Sequence, residues 1–343
     1  MTEIQRWADA AQYRSEPMPQ AAQAGITVTL LNATPDPLGQ VAALCAMYEG
    51  RVIRNYRELT DGERLQAFAD MRATVLNGPL ASPHFHFLVE GAGRDFTHQA
   101  VRDSYSFIAQ ESLRFAVKED WAAEVPLPPS LVGLPDDHPH VRLWRKALNG
   151  AEDAYAALVN AGMPAEDARK LLPHAVTTRY HWTPSLKTLL TEAGKRTCTQ
   201  AQFEWRQFFG QVAKALREHV GEDYWASEPQ LVPGYVNRPS RWQYELIAEA
   251  LRPNCFQTGS CGFMAKFDRG CTIRDRVEAN ARIQRPSSEW HLPHEVTRCG
   301  ADSDCPGGCE MEETKTLIKP IQPWEWAGDP TAARTTVQEG EGK

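Results

Sequence analysis

The chain has 343 residues, of which 42% are hydrophobic and 24% charged, a composition typical of folded globular proteins rather than disordered ones. Its formal charge of −7 disfavours a role in binding nucleic acid, since phosphate contacts need a basic face. No apolar run reaches the roughly 18 residues of a membrane span, and residues 1–17 lack the apolar core of a secretion signal. We therefore expect a cytoplasmic protein with neither a membrane nor a nucleic-acid partner.

Composition divides the chain into four zones. Residues 1–25 are polar and rich in Ala and Gln, and they predict a loosely held N-terminal arm. Residues 26–228 alternate helical and strand-like patterns and predict a catalytic domain. Residues 229–330 are rich in Pro, Gly and Cys and predict an irregular extension. The charged tail 331–343 is expected to be disordered.

Two strands are predicted near the start of the second zone, over residues 26–30 and 84–89. In the second of these, Phe85, Phe87 and Val89 alternate with other residues and would share one face. This pattern predicts a sheet whose one face is buried.

Three predicted helices follow. The first covers residues 94–102, and the second begins at Thr183 and Pro184, a plausible N-cap and N1 pair. The third covers residues 201–220, where apolar residues recur every three to four positions. Arg196 would stand at the entrance to this third helix, where backbone N–H groups favour an anion.

A set of polar side chains in this zone could form a cradle for an anion. Gln99 and Arg102 lie three positions apart on one predicted helix face, and Ser112 and Arg114 would point the same way from an extended segment. Arginine presents paired donors to an oxyanion, so the set suits a phosphate group and a base. The alternative is that these arginines are scattered over the surface.

Several motifs of this region resemble one enzyme family in their order and spacing. The first set comprises residues 85–91, Arg94, 97–102 and 110–115, and the second comprises 168–173, 180–183, Arg196 and 201–204. The last motif reads Ala-Gln-Phe-Glu, where the family has Ala-Gln-Trp-Glu. Together they resemble the flavin-dependent thymidylate synthases (the ThyX family) over residues 26–220.

This resemblance implies a homotetrameric enzyme of the α/β (α+β) class, in which helices pack on a mixed sheet and active sites lie between subunits. Such enzymes use FAD, NADPH and methylene-tetrahydrofolate to methylate C5 of dUMP. The family's nucleotide-binding positions carry the same residue types in this chain: Gln99, Ser112, Arg114, Arg169 and Arg196. These hydroxyl, amide and guanidinium groups suit phosphate and pyrimidine carbonyl oxygens.

The flavin-binding positions depart from the family pattern. The signature Arg-His-Arg-x7-Ser reads Arg102-Asp103-Ser104-x7-Ser112, so a histidine and a cation are replaced. The flavin contacts that the resemblance implies are Arg102, Gln110, Ser185, Lys187 and Gln200. The last three stand where the family has Asn, Arg and His. Fewer cations, with a carboxylate beside them, would hold the FAD pyrophosphate more weakly.

This departure leaves two alternatives to thymidylate synthesis open. Hydroxymethylation of dUMP or dCMP needs the one-carbon transfer and water but no hydride. Cys198 could then act as a nucleophile at C6 of the pyrimidine, because the neighbouring Arg196 and a helix N-terminus would favour its thiolate. The other interpretation of Cys198 is an inert buried thiol. The second alternative is an inactive relative that binds a nucleotide or a partner protein.

Most of the cysteines lie outside the resemblance, in the third zone. They form the triplets Cys255-x5-Cys261-x9-Cys271 and Cys299-x5-Cys305-x3-Cys309. In a chain without a secretion signal, such clustering favours a structural zinc or iron–sulfur site. Unliganded thiols and disulfides remain the alternatives.

Overall fold

The computed structural model of the chain describes residues 13–102, 105–198, 201–218 and 241–258. Its described residues fall into two compact units. The first unit takes its residues from Met1–Ala33, His84–Thr188 and Ala201–Ala215, and the second from Thr34–Pro83, Leu189–Gln200 and Leu216–Lys343. This division cuts across the domain predicted over residues 26–228, because the chain passes repeatedly from one unit to the other.

The first unit is built on strands. They are β1 (Tyr13–Arg14), β2 (Thr27–Ala33), β3 (Phe85–Gly93), β4 (Phe107–Gln110), β5 (Ala116–Val117) and β6 (Thr177–Thr183). Four of them form a sheet in the order β2-β3-β6-β4, and each neighbouring pair is antiparallel. The short strands β1 and β5 pair in parallel. The fold class is therefore confirmed as helices with a sheet, and the four-stranded sheet is antiparallel rather than mixed.

The inner face of this sheet confirms the alternation predicted from the sequence. Phe85, Phe87 and Val89 of β3 are all buried. Phe87 stacks on Trp182 of β6 with ring centroids 5.5 Å apart, and Trp182 in turn contacts Phe208 at 5.3 Å. The apolar face of the strands thus packs against the third predicted helix.

The helices are α1 (Gln20–Gln23), α2 (Pro37–Tyr48), α3 (Asp61–Ala73), α4 (Arg94–Ala100), α5 (Trp121–Glu124), α6 (Pro139–Asn160), α7 (Ala165–Ala168), α8 (Leu186–Arg196), α9 (Phe203–Glu218), α10 (Arg241–Ala250) and α11 (Asn254–Thr258). Short 3-10 turns cover Tyr56–Glu58, Gly78–Ala81 and Arg169–Leu171. The helices predicted over 94–102 and 201–220 correspond to α4 and α9.

The start of α8 differs from the prediction. Thr183 is the last residue of β6, and the carbonyl of Pro184 still accepts from the Phe85 amide at 3.0 Å. The extended chain therefore continues past Pro184. The Ser185 hydroxyl then accepts from the Thr188 amide at 3.2 Å, so Ser185 caps the helix instead of Thr183.

The arm is held to the first unit from Tyr13 onward, so the prediction of a loosely held arm is wrong for residues 13–25. The Met18 amide donates to Glu124 at 2.6 Å, and the Arg179 guanidinium donates to the Glu16 carbonyl at 2.7 Å. Both hydrogen bonds use backbone groups of the arm, and such contacts cannot be predicted from its amino-acid composition. Residues 1–12 lie outside the described residues.

The second unit is organised around a buried carboxylate, that of Asp36. It caps α2 by accepting from the Gly39 amide at 2.8 Å, and it pairs with Arg64 at 2.7 Å. It also accepts from Gln243 of α10 at 2.9 Å, and Gln243 accepts from the Leu38 amide at 3.0 Å. A buried ionised group needs such partners to remain charged in the interior.

Part of the predicted irregular extension is thus regular and packed. In α10, Trp242, Tyr244 and Ile247 are buried, and the Tyr244 hydroxyl donates to the Thr34 carbonyl at 2.9 Å. The prediction of an irregular segment is therefore wrong for Arg241–Ala250 and Asn254–Thr258. A high Pro, Gly and Cys content averaged over a long zone concealed this amphipathic helix. The tail 331–343 lies outside the described residues.

Candidate functional site

Two of the predicted nucleotide-binding arginines meet at one residue of the first unit. Arg114 donates to the carboxylate of Glu166 at 3.0 Å, and the Nε–H of Arg169 donates to the Glu166 carbonyl at 3.2 Å. Glu166 lies in the first turn of α7, and Arg169 follows that helix. The structure therefore brings Arg114 and Arg169 together although they lie far apart in sequence.

A tight turn presents Arg114 to solvent. The Ser112 carbonyl accepts from the Phe115 amide at 3.1 Å and from the Ala116 amide at 3.0 Å. The guanidinium of Arg114 lies 5.4 Å from the Phe115 ring centroid, within the range of a cation–π contact. Ser112 thus contributes its backbone to the turn that carries Arg114.

A third arginine, Arg94, belongs to the same cationic group. It is the first residue of α4, and its amide donates to the Val176 carbonyl at 3.1 Å. Burial lowers the pKa of Arg94; nearby Glu111 opposes this shift and nearby Arg169 adds to it. Guanidinium groups nonetheless stay protonated in proteins, so Arg94 and Arg169 are two neighbouring positive charges, with the Glu111 carboxylate close to Arg94. Arg94 belongs to the first set of motifs that resemble the family, but the resemblance assigns it no contact with the nucleotide or the flavin.

Gln99, on α4, lies in a chain of hydrogen bonds that reaches α9. Its carbonyl oxygen accepts from the indole N–H of Trp205 at 3.0 Å. Its amide nitrogen donates to Gln202, whose own nitrogen donates to Asp95 at 2.8 Å. All four residues belong to the first unit. Gln202 belongs to the Ala-Gln-Phe-Glu motif, and the spacing of residues in the sequence does not predict its contact with Gln99.

Arg196 and Cys198 belong to the second unit, where their helix context differs from the prediction. Arg196 is the last residue of α8 and lies 3.5 Å from the carboxylate of Glu192, which also pairs with Lys195 at 2.8 Å. Cys198 is half-buried just beyond this helix C-terminus, and α9 begins only at Phe203. A helix C-terminus disfavours an anion, so the expected support of a thiolate by a helix N-terminus is wrong.

Among the predicted flavin contacts, Arg102 and Lys187 are exposed cations of the first unit. The side-chain nitrogen of Gln110 is buried and has no hydrogen-bond partner among the described residues. Such a donor fits an acceptor atom of a bound group. Ser185 instead caps α8, and Gln200, Asp103 and Ser104 lie outside the described residues. The residues present therefore fit a flavin at three of the five positions.

The predicted metal ligands fall mostly beyond the described part of the chain. Cys255 lies half-buried in α11, and the other members of the two triplets are Cys261, Cys271, Cys299, Cys305 and Cys309, which the structure does not describe. Within the described ranges, no group of three or more His, Cys, Asp and Glu side chains could hold a metal. The zinc or iron–sulfur site stays a prediction. The described helices also include none that is long and apolar enough to cross a membrane.

Comparison with known proteins places this arrangement in a family. The family model described as thymidylate synthase complementing protein matches residues 29–220. A flavin-dependent thymidylate synthase from Geobacter sulfurreducens is 32% identical over 192 residues, which cover 55% of this chain and 82% of that protein. Another from Pyrococcus abyssi is 26% identical over 265 residues, which cover 76% of this chain and 99% of that protein.

Among solved structures, a UMP/dUMP methylase PolB from Streptomyces cacaoi bound with 5-Br dUMP aligns with a TM-score of 0.47 and 19% identity. The alignment covers 57% of this chain and 91% of that chain. The assignment rests on the sequence matches, since the family model spans more than half of the chain. The chain therefore belongs to the flavin-dependent thymidylate synthase (ThyX) family.

Proposed function

We propose that this chain converts dUMP to dTMP, with methylene-tetrahydrofolate as carbon donor, FAD as flavin cofactor and NADPH as reductant. As a member of its family, the chain is an enzyme that transfers one-carbon units. The observation that carries the substrate proposal is the meeting of Arg114 and Arg169 at Glu166, with Arg94 beside them. A site of this kind attracts a dianionic phosphate.

The role that we assign to the arginines is to bind and orient the nucleotide. Arginine pairs with phosphate oxygens through parallel N–H donors, which sets direction as well as affinity. The Glu166 carboxylate now accepts from one terminal nitrogen of Arg114, where we propose that a phosphate oxygen binds. Ser112, in the turn beside Arg114, adds a hydroxyl that can donate to the same group.

The flavin would be held by Arg102, Lys187 and Gln110. Two exposed cations suit a pyrophosphate, and the buried Gln110 amide suits an acceptor of the ring or the chain. When bound, the flavin would supply the reducing equivalents that turn the transferred carbon into a methyl group. We further propose that four copies assemble, as the family resemblance implies.

Hydroxymethylation of dUMP or dCMP is the second candidate. It is favoured by the loss of flavin-binding groups: Asp103 and Ser104 replace two basic family residues, and Ser185 caps α8. In this candidate water adds to the transferred carbon and no hydride is needed. Cys198 would be the nucleophile at C6, although it follows a helix C-terminus.

The absorbance spectrum of the purified full chain tests the flavin proposal. Flavin absorbance, retained through gel filtration with dUMP, supports the synthase. A colourless protein that converts dUMP or dCMP with methylene-tetrahydrofolate alone supports hydroxymethylation, and Cys198→Ala should then abolish turnover. A protein that binds dUMP but turns over neither nucleotide, with or without FAD and NADPH, would be the inactive relative.

A further inference from the structure

The N-terminal arm runs alongside the segment that carries Arg114. Its strand β1 pairs in parallel with β5, so that Tyr13 lies opposite Ala116. The Ser15 amide extends this pairing by donating to the Val117 carbonyl at 3.0 Å. Within the described part of the chain, β5 pairs with no strand other than β1. The arm is therefore the strand partner of the segment that follows Arg114.

The arm segment, which we define as residues 13–18, is also held beyond β1. Arg179 of β6 donates to the Glu16 carbonyl at 2.7 Å. The buried Met18 donates its amide to the Glu124 carboxylate of α5 at 2.6 Å. These contacts fix the C-terminal end of the arm segment to β6 and α5, and they hold β1 in place against β5.

One residue belongs both to this pairing and to the turn that presents Arg114. Ala116 lies opposite Tyr13, and its amide donates to the Ser112 carbonyl at 3.0 Å, which closes the turn. Leu113 anchors the other side of the turn, because its side chain is buried in the hydrophobic core. The position of Arg114 is therefore set by the core on one side and by the arm segment on the other.

We propose that the arm segment is a positioning element that holds Arg114 where it can bind the substrate phosphate, and that nucleotide binding in turn stabilises the docked arm. The inference rests on the proposed function, because it takes Arg114 as a residue that binds the phosphate. A turn that is already ordered loses less conformational freedom when the nucleotide binds, so the two events favour each other by the same factor. The match to the family model begins at residue 29, so the arm segment lies outside it.

Two substitutions of Ser15 test this role at one position. Ser15→Pro removes the amide that donates to Val117 and should detach β1 from β5. Ser15→Ala is the matched control, since it keeps this amide and loses only a buried hydroxyl that has no hydrogen-bond partner among the described residues. In calorimetric titration of the full-length variants, Ser15→Pro should bind dUMP about five- to tenfold more weakly than Ser15→Ala, the lower part of the range for coupled sites.

The same substitution in an Arg114→Met background shows whether the arm segment acts through Arg114. This background lacks the guanidinium, so adding Ser15→Pro should change its affinity for dUMP by less than about twofold. A further loss of about five- to tenfold in this background would mean that the arm segment supports the fold as a whole, and it would overturn the positioning role.

Hydrogen exchange of the wild-type chain measures the reciprocal effect without any substitution. Because the coupling is reciprocal, saturating dUMP should slow exchange in the peptide that contains Ser15 and Met18 by at least the factor lost in Ser15→Pro. Deoxyuridine, which lacks the phosphate, should leave this exchange unchanged. Equal slowing by both ligands would contradict a role of the phosphate and hence of Arg114.

Two results separate the inference from the function on which it rests. If the wild type binds dUMP but either the two Ser15 variants bind it equally or exchange in the arm segment does not slow, the inference fails alone. If the wild type binds no dUMP, the proposed function and the inference fail together.

Discussion

The guanidinium of Arg114 donates to the carboxylate of Glu166 at 3.0 Å, and both side chains are about half exposed. A carboxylate of the protein thus accepts from one terminal nitrogen of Arg114. If Arg114 binds the substrate phosphate as we propose, this carboxylate would compete with the phosphate for that nitrogen and lower the affinity.

Glu166→Gln should strengthen dUMP binding, because it removes the negative charge that competes with phosphate. The expected gain is up to about fivefold, since an exposed ion pair contributes at most about 1 kcal/mol. Titration calorimetry measures the change. Asp167→Asn, which removes the exposed pair with Lys170, is the control and should leave affinity unchanged. Weaker binding by Glu166→Gln would show that the carboxylate supports the site.

Arg94→Met should weaken dUMP binding by about 10- to 100-fold, the range for a hydrogen bond to a charged group. The reason is that Arg94 lies close enough to Arg169 for their charges to interact. Binding of deoxyuridine, which lacks the phosphate, should barely change. The exposed Arg142 provides the control Arg142→Met. Equal losses for both ligands would contradict a phosphate contact.

Gln243→Leu should destabilise the protein by about 2–4 kcal/mol, because the Asp36 carboxylate and the Leu38 amide each lose a buried partner. Urea denaturation measures the free energy of unfolding. Gln66→Leu removes an exposed hydrogen bond to Asp70 and should change it by less than about 0.5 kcal/mol. Equal stabilities of the two variants would mean that the hydrogen bonds of Gln243 do not stabilise the second unit.

Lys118 predicts a specific pH dependence of stability. It is buried, with its nitrogen 3.5 Å from Glu124. Burial lowers the pKa of Lys118, whereas Glu111 and Glu124 oppose that shift. The unfolded chain therefore binds more protons in the range just below the ordinary lysine pKa of about 10.4, and stability rises with pH there.

Lys118→Met should remove this rise, so the wild type should gain stability relative to the variant as the pH rises toward the ordinary lysine pKa of about 10.4. Urea midpoints at several pH values give the comparison. Lys146→Met, at an exposed position of α6, should follow the wild type. If the urea midpoints of the wild type and of Lys118→Met changed with pH in parallel, the result would contradict the lowered pKa of Lys118.

Local patterns predicted the elements that pack against one another. The alternation of Phe85, Phe87 and Val89 predicted the buried face of β3, and the periodicity around Trp205 and Phe208 predicted α9. Both predictions depend on the spacing of apolar residues, which can be taken directly from the sequence.

Contacts between distant residues could not be predicted in this way. The partner of Gln99 lies 103 positions away at Gln202, and the partner of Asp36 lies 207 positions away at Gln243. Periodicity contains no information on which polar side chains meet. The backbone contacts of the N-terminal arm could not be predicted from the sequence either. The carbonyl that accepts from Arg179 belongs to Glu16, but a residue of any type could supply such a carbonyl.

The start of α8 differs from the local sequence pattern because of a hydrogen bond to a distant strand. Thr183 and Pro184 form a good helix opening in sequence, but the Pro184 carbonyl pairs with the Phe85 amide. The strand therefore continues and the cap moves to Ser185. Ser185 therefore caps α8, and its contact with a flavin stays a prediction.

Incubation of the purified full chain with dUMP, methylene-tetrahydrofolate, FAD and NADPH, followed by chromatography of the nucleotides, tests the central proposal most directly. The account predicts dTMP, in an amount that depends on both FAD and NADPH. Formation of 5-hydroxymethyl-dUMP without FAD, or no conversion by a protein that binds dUMP, would contradict it.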